Sequence, residues 1–221
     1  MKVNRGGPVT VTEYATNSIR DAILSGRYAP GIRLDQQTLI GELGASLIPV
    51  RESLRQLEAE GYVTIYPHRG AFVAELSIGD LKDIYAVREI VEEAAAQLAV
   101  PNMSDHTLND LGKLVESMEQ ATAAHDFATL FDLNRSFHFA IYEQCGNAVL
   151  LHMLAGLWDR SRRYRQLYTH LPERAPQALA EHREIYAACQ ARNPTAAGLA
   201  VRHNVRQTTS GILAKLNISN P

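Results

Sequence analysis

The sequence is short of cysteine and tryptophan and has no apolar run long enough to cross a membrane. Its 221 residues include 2 cysteines, Cys145 and Cys189, and 1 tryptophan. So few cysteines exclude a disulfide-rich secreted scaffold and favour a reduced, cytoplasmic protein. The uncharged stretch between Glu143 and Asp159 is shorter than the roughly 18 to 20 apolar residues that a transmembrane helix needs. We therefore expect no membrane span, and the N-terminal residues also lack the apolar core of a signal peptide.

An excess of charge of one sign is also missing. Lys and Arg number 22 and Asp and Glu number 24, so the formal net charge is −2. This balance argues against a protein coated with nucleic acid, but it permits a local basic site. With 46% hydrophobic residues the chain is not intrinsically disordered, and its length suits one large or two small domains.

The first 75 residues mix helix, turn and strand signals. Ala15, Ile19, Ala22 and Ile23 recur at helical spacing ahead of Gly26, which predicts a first amphipathic helix. Two more helical segments, joined by a short turn with a glycine, and two β-prone runs follow at 36–43, 49–60, 63–66 and 71–74. This order predicts a winged helix-turn-helix, in which the second helix of the motif enters the DNA major groove.

The residues that this architecture would present to DNA are Ser46, Arg51, Arg55, His68, Arg69 and Gly70. Arg51 and Arg55 lie one turn apart on the predicted recognition helix, and Ser46 is its predicted N-cap. The other three lie at the tip of the predicted hairpin, the wing. A solvated helix face with two arginines would look the same, so this pattern alone leaves both interpretations open.

From Ser77 onward the pattern is helical throughout. Caps and breaks at Ser104, Asp126, Asn147 and Pro194 help to divide the chain into about six helices, which predicts an all-α antiparallel bundle. The predicted domains are a winged helix-turn-helix at 1–75, a linker at 76–79 and the bundle at 80–221. The predicted fold class is therefore mainly α.

Asn134, His138, His182 and His203 each fall on a stripe of apolar residues in the predicted bundle. Three inward histidines could share a metal ion, which would satisfy several buried imidazoles at once. Each could also be an ordinary core histidine. A third alternative is a metal-dependent hydrolytic enzyme, but the same helix faces carry no acidic residue beside the histidines that could act as general base.

The N-terminal motifs resemble the DNA-binding domain of GntR-family transcription regulators. The resemblance rests on the turn GRYAPG at 26–31, PVRE at 49–52, LEAEG at 57–61 and HRG at 68–70. It implies that Arg51 and the wing contact double-stranded operator DNA. Family members commonly carry arginine or a polar residue where this chain has Leu47 and Ile48.

The bundle is similar to the FCD ligand-binding domain of the FadR-like branch of that family. The matching residues are Arg88, Glu92, FH at 137–138, GN at 146–147, HR at 182–183 and RH at 202–203. The resemblance implies a cavity with a divalent metal, zinc with nickel or manganese as alternatives, held by Asn134, His138, His182 and His203. A small organic acid would bind beside it with help from Arg88, unless Arg88 only pairs with Glu92 or the metal is purely structural.

The expected protein is thus a ligand-responsive repressor that binds a pseudo-palindromic operator as a homodimer, and not an enzyme. A domain this small buries only roughly 600 to 1,000 Å² on DNA, so two half-sites are needed for specificity. The arginine-rich run at 160–165 is expected on a solvated or subunit-contacting face.

Overall fold

The computed structural model describes residues 10–169 and 174–219, and these form two compact units that divide between Leu76 and Ser77. Within these ranges no helix is both long enough and apolar enough to span a membrane. The first helix of the second unit begins at Ile78, inside the predicted linker 76–79.

The N-terminal unit is a winged helix-turn-helix. Its elements are α1 (Val11–Leu24), β1 (Arg33–Leu34), α2 (Gln36–Leu43), α3 (Leu47–Ala59), β2 (Val63–Tyr66) and β3 (Gly70–Val73). The strands form an antiparallel sheet in the order β1-β3-β2, in which Arg33 pairs with Phe72 and Val63 with Val73. The prediction missed β1, because a strand of two residues leaves no periodicity to read.

Local signals in the sequence set the helix ends of this unit. Thr10 and Glu13 form a reciprocal capping box at the start of α1, and Asp35 caps α2 by accepting from the Thr38 N–H. Gly44 ends α2 in the left-handed conformation that the turn into α3 requires. The apolar faces of the elements then meet in one core, formed by Ile19, Leu34, Leu39, Val50, Leu54, Leu57, Tyr62, Val63, Ala71 and Val73.

The C-terminal unit is all-α in its described residues. It consists of α4 (Ile78–Ala99), a 3₁₀ turn (Val100–Asn102), α5 (Asp105–Ala123), α6 (Phe127–Tyr142), α7 (Ala148–Arg160), α8 (Arg162–Thr169), α9 (Ala175–Gln190) and α10 (Pro194–Ser219). The side chains of Ser77, Ser104, Asp126 and Asn147 cap α4, α5, α6 and α7. One more helix is present than the six predicted, because the chain breaks at Ser161 between α7 and α8.

Helices α4 and α10 pack together closely, and Gly198 faces the Gln97 side chain across their contact. A Cβ at Gly198 would lie 2.6 Å from Gln97 Cγ, so a larger residue would force the Gln97 side chain to move. The contact turns one face of α10 inward, with Ala197, Val201 and Val205 fully buried. This face of α10 therefore lines the interior of the C-terminal unit.

Candidate DNA-binding and effector sites

One face of helix α3 points away from the core of the N-terminal unit. Arg51 and Arg55 are exposed, whereas Val50 and Leu54 on the opposite side are buried. The Arg51 Nε donates to Gln36 Oε1 at 3.1 Å, which links α3 to α2. The predicted recognition arginines therefore share an accessible face.

Ser46 occupies the N-cap position of α3, but its side chain makes no capping hydrogen bond. Its hydroxyl group and the first turn of the helix can therefore meet another acceptor, and a helix N-terminus favours anions such as phosphate. This is the position predicted for Ser46 from the sequence.

The wing is the hairpin of β2 and β3. His68 and Gly70 at its tip both adopt positive φ, at 61° and 97°, which allows the sharp reversal between the strands. The Arg69 guanidinium carbon lies 5.4 Å from the Tyr66 ring centroid and 5.9 Å from that of Phe72. His68 and Arg69 are exposed, so the three predicted wing residues come together at an accessible loop.

A network of polar side chains is buried in the C-terminal unit. Arg88 Nε donates to Glu92 Oε1 at 2.6 Å, and Arg88 Nη1 donates to Ser161 Oγ at 3.1 Å. The Tyr142 hydroxyl donates to Glu92 Oε2 at 2.5 Å and lies 3.1 Å from His138 Nδ1. The ion pair of Arg88 with Glu92, which the sequence left as an alternative, is present and is fully buried.

The same network is continuous with a group of rings. The ring centroid of His138 lies 5.1 Å from that of His182 and 5.2 Å from that of Trp158. The Arg88 guanidinium lies 4.6 Å from both the Tyr85 and the Trp158 centroids. We refer to these residues, with Arg165, as the buried cluster: Tyr85, Arg88, His138, Trp158, Arg165 and His182.

Both histidines of the cluster are uncharged at neutral pH. Burial, followed by the positive charges nearby, holds the pKa of His138 well below its usual value. Burial likewise lowers the pKa of His182 to about 4. His182 Nδ1 lies 2.6 Å from the Ala178 carbonyl oxygen, so this nitrogen carries the proton and Nε2 presents a lone pair.

Three atoms of the cluster are buried without a hydrogen-bond partner among the described residues. They are His182 Nε2, Trp158 Nε1 and the Tyr85 hydroxyl. A buried polar atom without a partner costs about 1 to 3 kcal/mol. These atoms therefore indicate a place where a polar ligand or water would be stabilised.

Arg165 is a cluster residue that the sequence analysis placed wrongly. It was expected with the rest of the run 160–165 on a solvated or subunit-contacting face, but only 3% of it is exposed. The break at Ser161 turns α8 so that Arg165 faces Trp158, and Arg165 Nη2 donates to the Trp158 carbonyl at 3.0 Å. Burial, followed by the charge of Arg88, lowers the pKa of Arg165 to about 9. Residues 159–161, where the break falls, include no glycine or proline that could have signalled this turn.

The prediction that His203 faces the interior is wrong. His203 is exposed, and the neighbouring Asn204 is buried instead, with its Nδ2 donating to Glu181 Oε2 at 2.6 Å. Arg174 Nη2 donates to the same carboxylate oxygen at 2.5 Å. This buried trio was not predicted, because the predicted stripe for α10 was displaced by one residue. The expectation of no acidic side chain beside the histidines is also wrong, since Glu181 is buried next to His182.

The four predicted metal ligands are therefore not brought together. His138 and His182 converge, Asn134 is partly buried one turn before His138, and His203 lies on the outer face of α10. Within the described ranges, no three or more His, Cys, Asp or Glu side chains are placed to hold a metal ion. The residues do not fit the three-histidine zinc, nickel or manganese centre that the resemblance implied.

Comparison with known proteins defines the class to which this fold and these sites belong. Residues 12–73 match the family of bacterial regulatory proteins, gntR family, and residues 83–207 match the FCD domain. The chain therefore belongs to the GntR family of transcription regulators, with an FCD domain after the DNA-binding domain, and it is a DNA-binding regulator and not an enzyme.

Particular relatives carry similar names. The HTH-type transcriptional regulator McbR of Escherichia coli is 32% identical over 152 residues, which are 69% of each chain. The HTH-type transcriptional repressor GlaR of Escherichia coli is 28% identical over 195 residues, or 85% of this chain and 89% of GlaR. The solved structure of E. coli McbR/YncC matches with a TM-score of 0.77 and 25% identity, covering 94% of this chain and 99% of that one.

Proposed function

We propose that this protein is a repressor that binds a pseudo-palindromic operator as a homodimer and releases it when a small organic acid binds the buried cluster. The observation that carries the effector site is the set of partnerless atoms beside Arg88 and Arg165. Since a regulator acts where its operator DNA is, a cytoplasmic location is part of this proposal. The name of GlaR, a transcriptional repressor, supports the direction of the response.

The chemistry of the cluster favours a hydroxy acid. The Trp158 N–H and the Tyr85 hydroxyl can donate to a carboxylate, and the guanidinium groups beside them supply positive charge. The lone pair at His182 Nε2 instead requires a donor, which a hydroxyl group of the ligand would supply. The two buried guanidinium groups favour an anion over a cation, and no step of this proposal requires a metal.

The effector site is tested by thermal unfolding with matched acids. L-malate differs from succinate, and lactate from propionate, by a single hydroxyl group. We expect a hydroxy acid to raise the melting temperature more than its matched partner. At 100 times its dissociation constant, a bound acid adds about 2.7 kcal/mol to the free energy of unfolding. If no carboxylic acid in a panel of mono-, di- and tricarboxylates raises it, the effector proposal is wrong.

The homodimer is supported by apolar side chains that α4 and α10 leave uncovered. Val87, Ile90 and Leu98 share one face of α4 and are 42%, 70% and 48% exposed, and Leu199 on α10 is 53% exposed. A second copy of the chain would cover this face with the same residues, as a two-fold symmetric contact requires. It would also pair two DNA-binding units, which the reading of two half-sites needs.

Size-exclusion chromatography with light scattering measures the molar mass of the protein and thereby tests the dimer. Ile90→Lys places a charge in the proposed interface and is expected to yield monomers that lose operator affinity. Val149→Lys is the matched control, since Val149 is 71% exposed and lies on a different helix, α7. A monomeric wild type, or equal dissociation of both variants, would refute this interface.

Operator binding is tested by capture of genomic DNA fragments at about 150 mM salt. We expect one inverted-repeat motif to be enriched, and Arg51→Ala to abolish the enrichment. The exposed Arg27→Ala, which removes a surface arginine bonded to Glu42, controls for the loss of one positive charge. Without enrichment of any motif, sequence-specific operator binding would have to be abandoned.

A further inference from the structure

The start of α3 carries an apolar side chain that the described residues of its own unit leave mostly uncovered. Ile48 is 69% exposed, the largest exposed fraction among the large apolar residues described in the N-terminal unit. Leu47, beside it, is partly buried. Burial of the Ile48 side chain against a partner at the first turn of α3 would be favourable.

Ile48 shares the accessible face of α3 with the two arginines. Arg51 follows it by three residues and Arg55 by seven, so all three lie on one side of the helix. Glu52 follows Arg51 directly, but its side chain is directed toward α1, where its Oε2 accepts from the Thr12 hydroxyl at 3.1 Å. The stripe of Ile48, Arg51 and Arg55 is therefore apolar at its N-terminal end and positive beyond it.

The position of Ile48 determines what it can meet on DNA. In a helix-turn-helix, the N-terminal residues of the second helix contact the base edges in the major groove. An isoleucine side chain has no donor or acceptor, so it cannot read guanine or adenine by hydrogen bonds. The one apolar group that a base presents in that groove is the C5-methyl of thymine.

We propose that Ile48 is a specificity-determining residue that reads a thymine methyl group in each half-site of the operator. The proposal rests on operator binding through α3, as proposed above. Arg51 and Arg55 supply the charge-dependent contacts, and Ile48 supplies a preference that depends on one methyl group. Loss of one buried methyl corresponds to about a fourfold loss of affinity per half-site.

Replacement of thymine by uracil isolates this contact, because uracil pairs with adenine in the same way but lacks the methyl group. The operator is first selected from a random duplex library with the full-length protein. Each thymine of the enriched half-site is then replaced singly by deoxyuridine, and the dissociation constant is measured. We expect one thymine in each half-site at which the replacement weakens binding by about fourfold.

The variant Ile48→Ala completes a double-mutant cycle, in which the protein change is combined with the change of thymine to uracil. It is expected to bind the thymine and uracil operators equally, since alanine is too short to reach the methyl group. Ile48 is exposed, so this change leaves the core intact, and alanine favours the helix. Ile32→Ala is the matched control, because Ile32 is 51% exposed in the same unit but lies before β1, and it should keep the preference for thymine.

The outcomes separate this inference from the function on which it rests. If wild type binds its operator but tolerates uracil at every position, the role of Ile48 is refuted while operator binding stands. If Ile48→Ala keeps the thymine preference, or Ile32→Ala loses it, the contact belongs to another residue. Failure to enrich any sequence would overturn both proposals.

Discussion

The guanidinium carbon of Arg165 lies 4.0 Å from the ring centroid of Trp158, in the interior of the C-terminal unit. Arg88 packs against the same indole at 4.6 Å, so two arginines share one aromatic partner. Cation–π contacts of this kind are strongest where water is excluded. Because Trp158 is the one tryptophan of the chain, its fluorescence reports directly on this cluster.

Arg165→Met is expected to separate stability from effector response. Methionine has similar length, and burial already disfavours the charge of Arg165, whose pKa is lowered to about 9. The change removes the hydrogen bond to the Trp158 carbonyl and the cation–π contact, while the desolvation of the buried charge, which opposes folding, is removed as well. We expect the free energy of unfolding, measured in urea by Trp158 fluorescence, to fall by about 1 kcal/mol.

The same variant should lose the thermal stabilisation by carboxylic acids. Arg160→Met is the matched control, since the Arg160 side chain is 47% exposed and forms a surface ion pair with Asp80. An Arg165→Met protein that responds to acid as well as wild type does would remove Arg165 from the effector site.

Stability should fall on acidification because of the buried histidines. The pKa of His182 is about 4 in the folded chain and about 6.5 when unfolded, so between these values only the unfolded state binds the proton. This contribution is present above about pH 6.5 and is lost as the pH falls toward 4. From pH 7 to pH 5 we expect His182 alone to cost about 2 kcal/mol.

Urea unfolding at the two pH values, with a chelator present, measures this loss. His182→Gln cannot take up the proton, so its stability should decline by about 2 kcal/mol less than that of wild type over the same range. His152→Gln, at an exposed histidine on α7, should decline as wild type does. Identical pH profiles for His182→Gln and wild type would mean that His182 keeps an ordinary pKa.

Tyr142→Phe is expected to weaken the hydrogen-bonded chain that links His138 to Glu92. The Tyr142 hydroxyl donates to the Glu92 carboxylate at 2.5 Å in a fully buried site. Hydrogen bonds to charged groups contribute about 1.5 to 3 kcal/mol, and the variant should lose stability of that order. The measurement is again the free energy of unfolding from Trp158 fluorescence.

Tyr186→Phe provides the comparison, because the Tyr186 hydroxyl accepts from the Gln190 side chain at an exposed site. That change should cost less than about 0.5 kcal/mol. Equal losses for the two variants would show that the buried chain carries no special stability.

His203→Ala is expected to leave both metal content and effector response unchanged. Its side chain is exposed on the outer face of α10, away from His138 and His182. Elemental analysis of the dialysed protein should find no stoichiometric zinc, nickel or manganese in wild type or variant. Stoichiometric metal in wild type that His203→Ala removes would restore the three-histidine centre.

The order of elements and the DNA-binding unit could be predicted from the sequence because their signals are local. Glycines with positive φ, Ser, Thr and Asp caps and the alternation of the hairpin act within a few residues of where they stand. They placed α2, α3, β2 and β3 to within two residues at each end. The accessible arginines of α3 followed from the same spacing.

The effector cluster depends on relations that no local signal carries. On α10, the stripe Ala196, Leu199, His203 and the stripe Ala197, Val201, Asn204 are both apolar enough to face inward. The packing of α10 in the bundle buries the second stripe, so that His203 faces outward and Asn204 inward. By itself, then, the sequence determined the two domains and the recognition helix.

The tertiary structure decided which charges are buried. Arg165 reads as a surface residue in its run of basic neighbours, and it becomes a cluster residue only because the break at Ser161 turns α8 toward Trp158. A buried charge depends on groups distant in the chain, as the Arg88 guanidinium does on the Ser161 hydroxyl, which lies 73 residues further along. Periodicity along one helix does not encode such a partner, since the partner is brought there by the packing of the others.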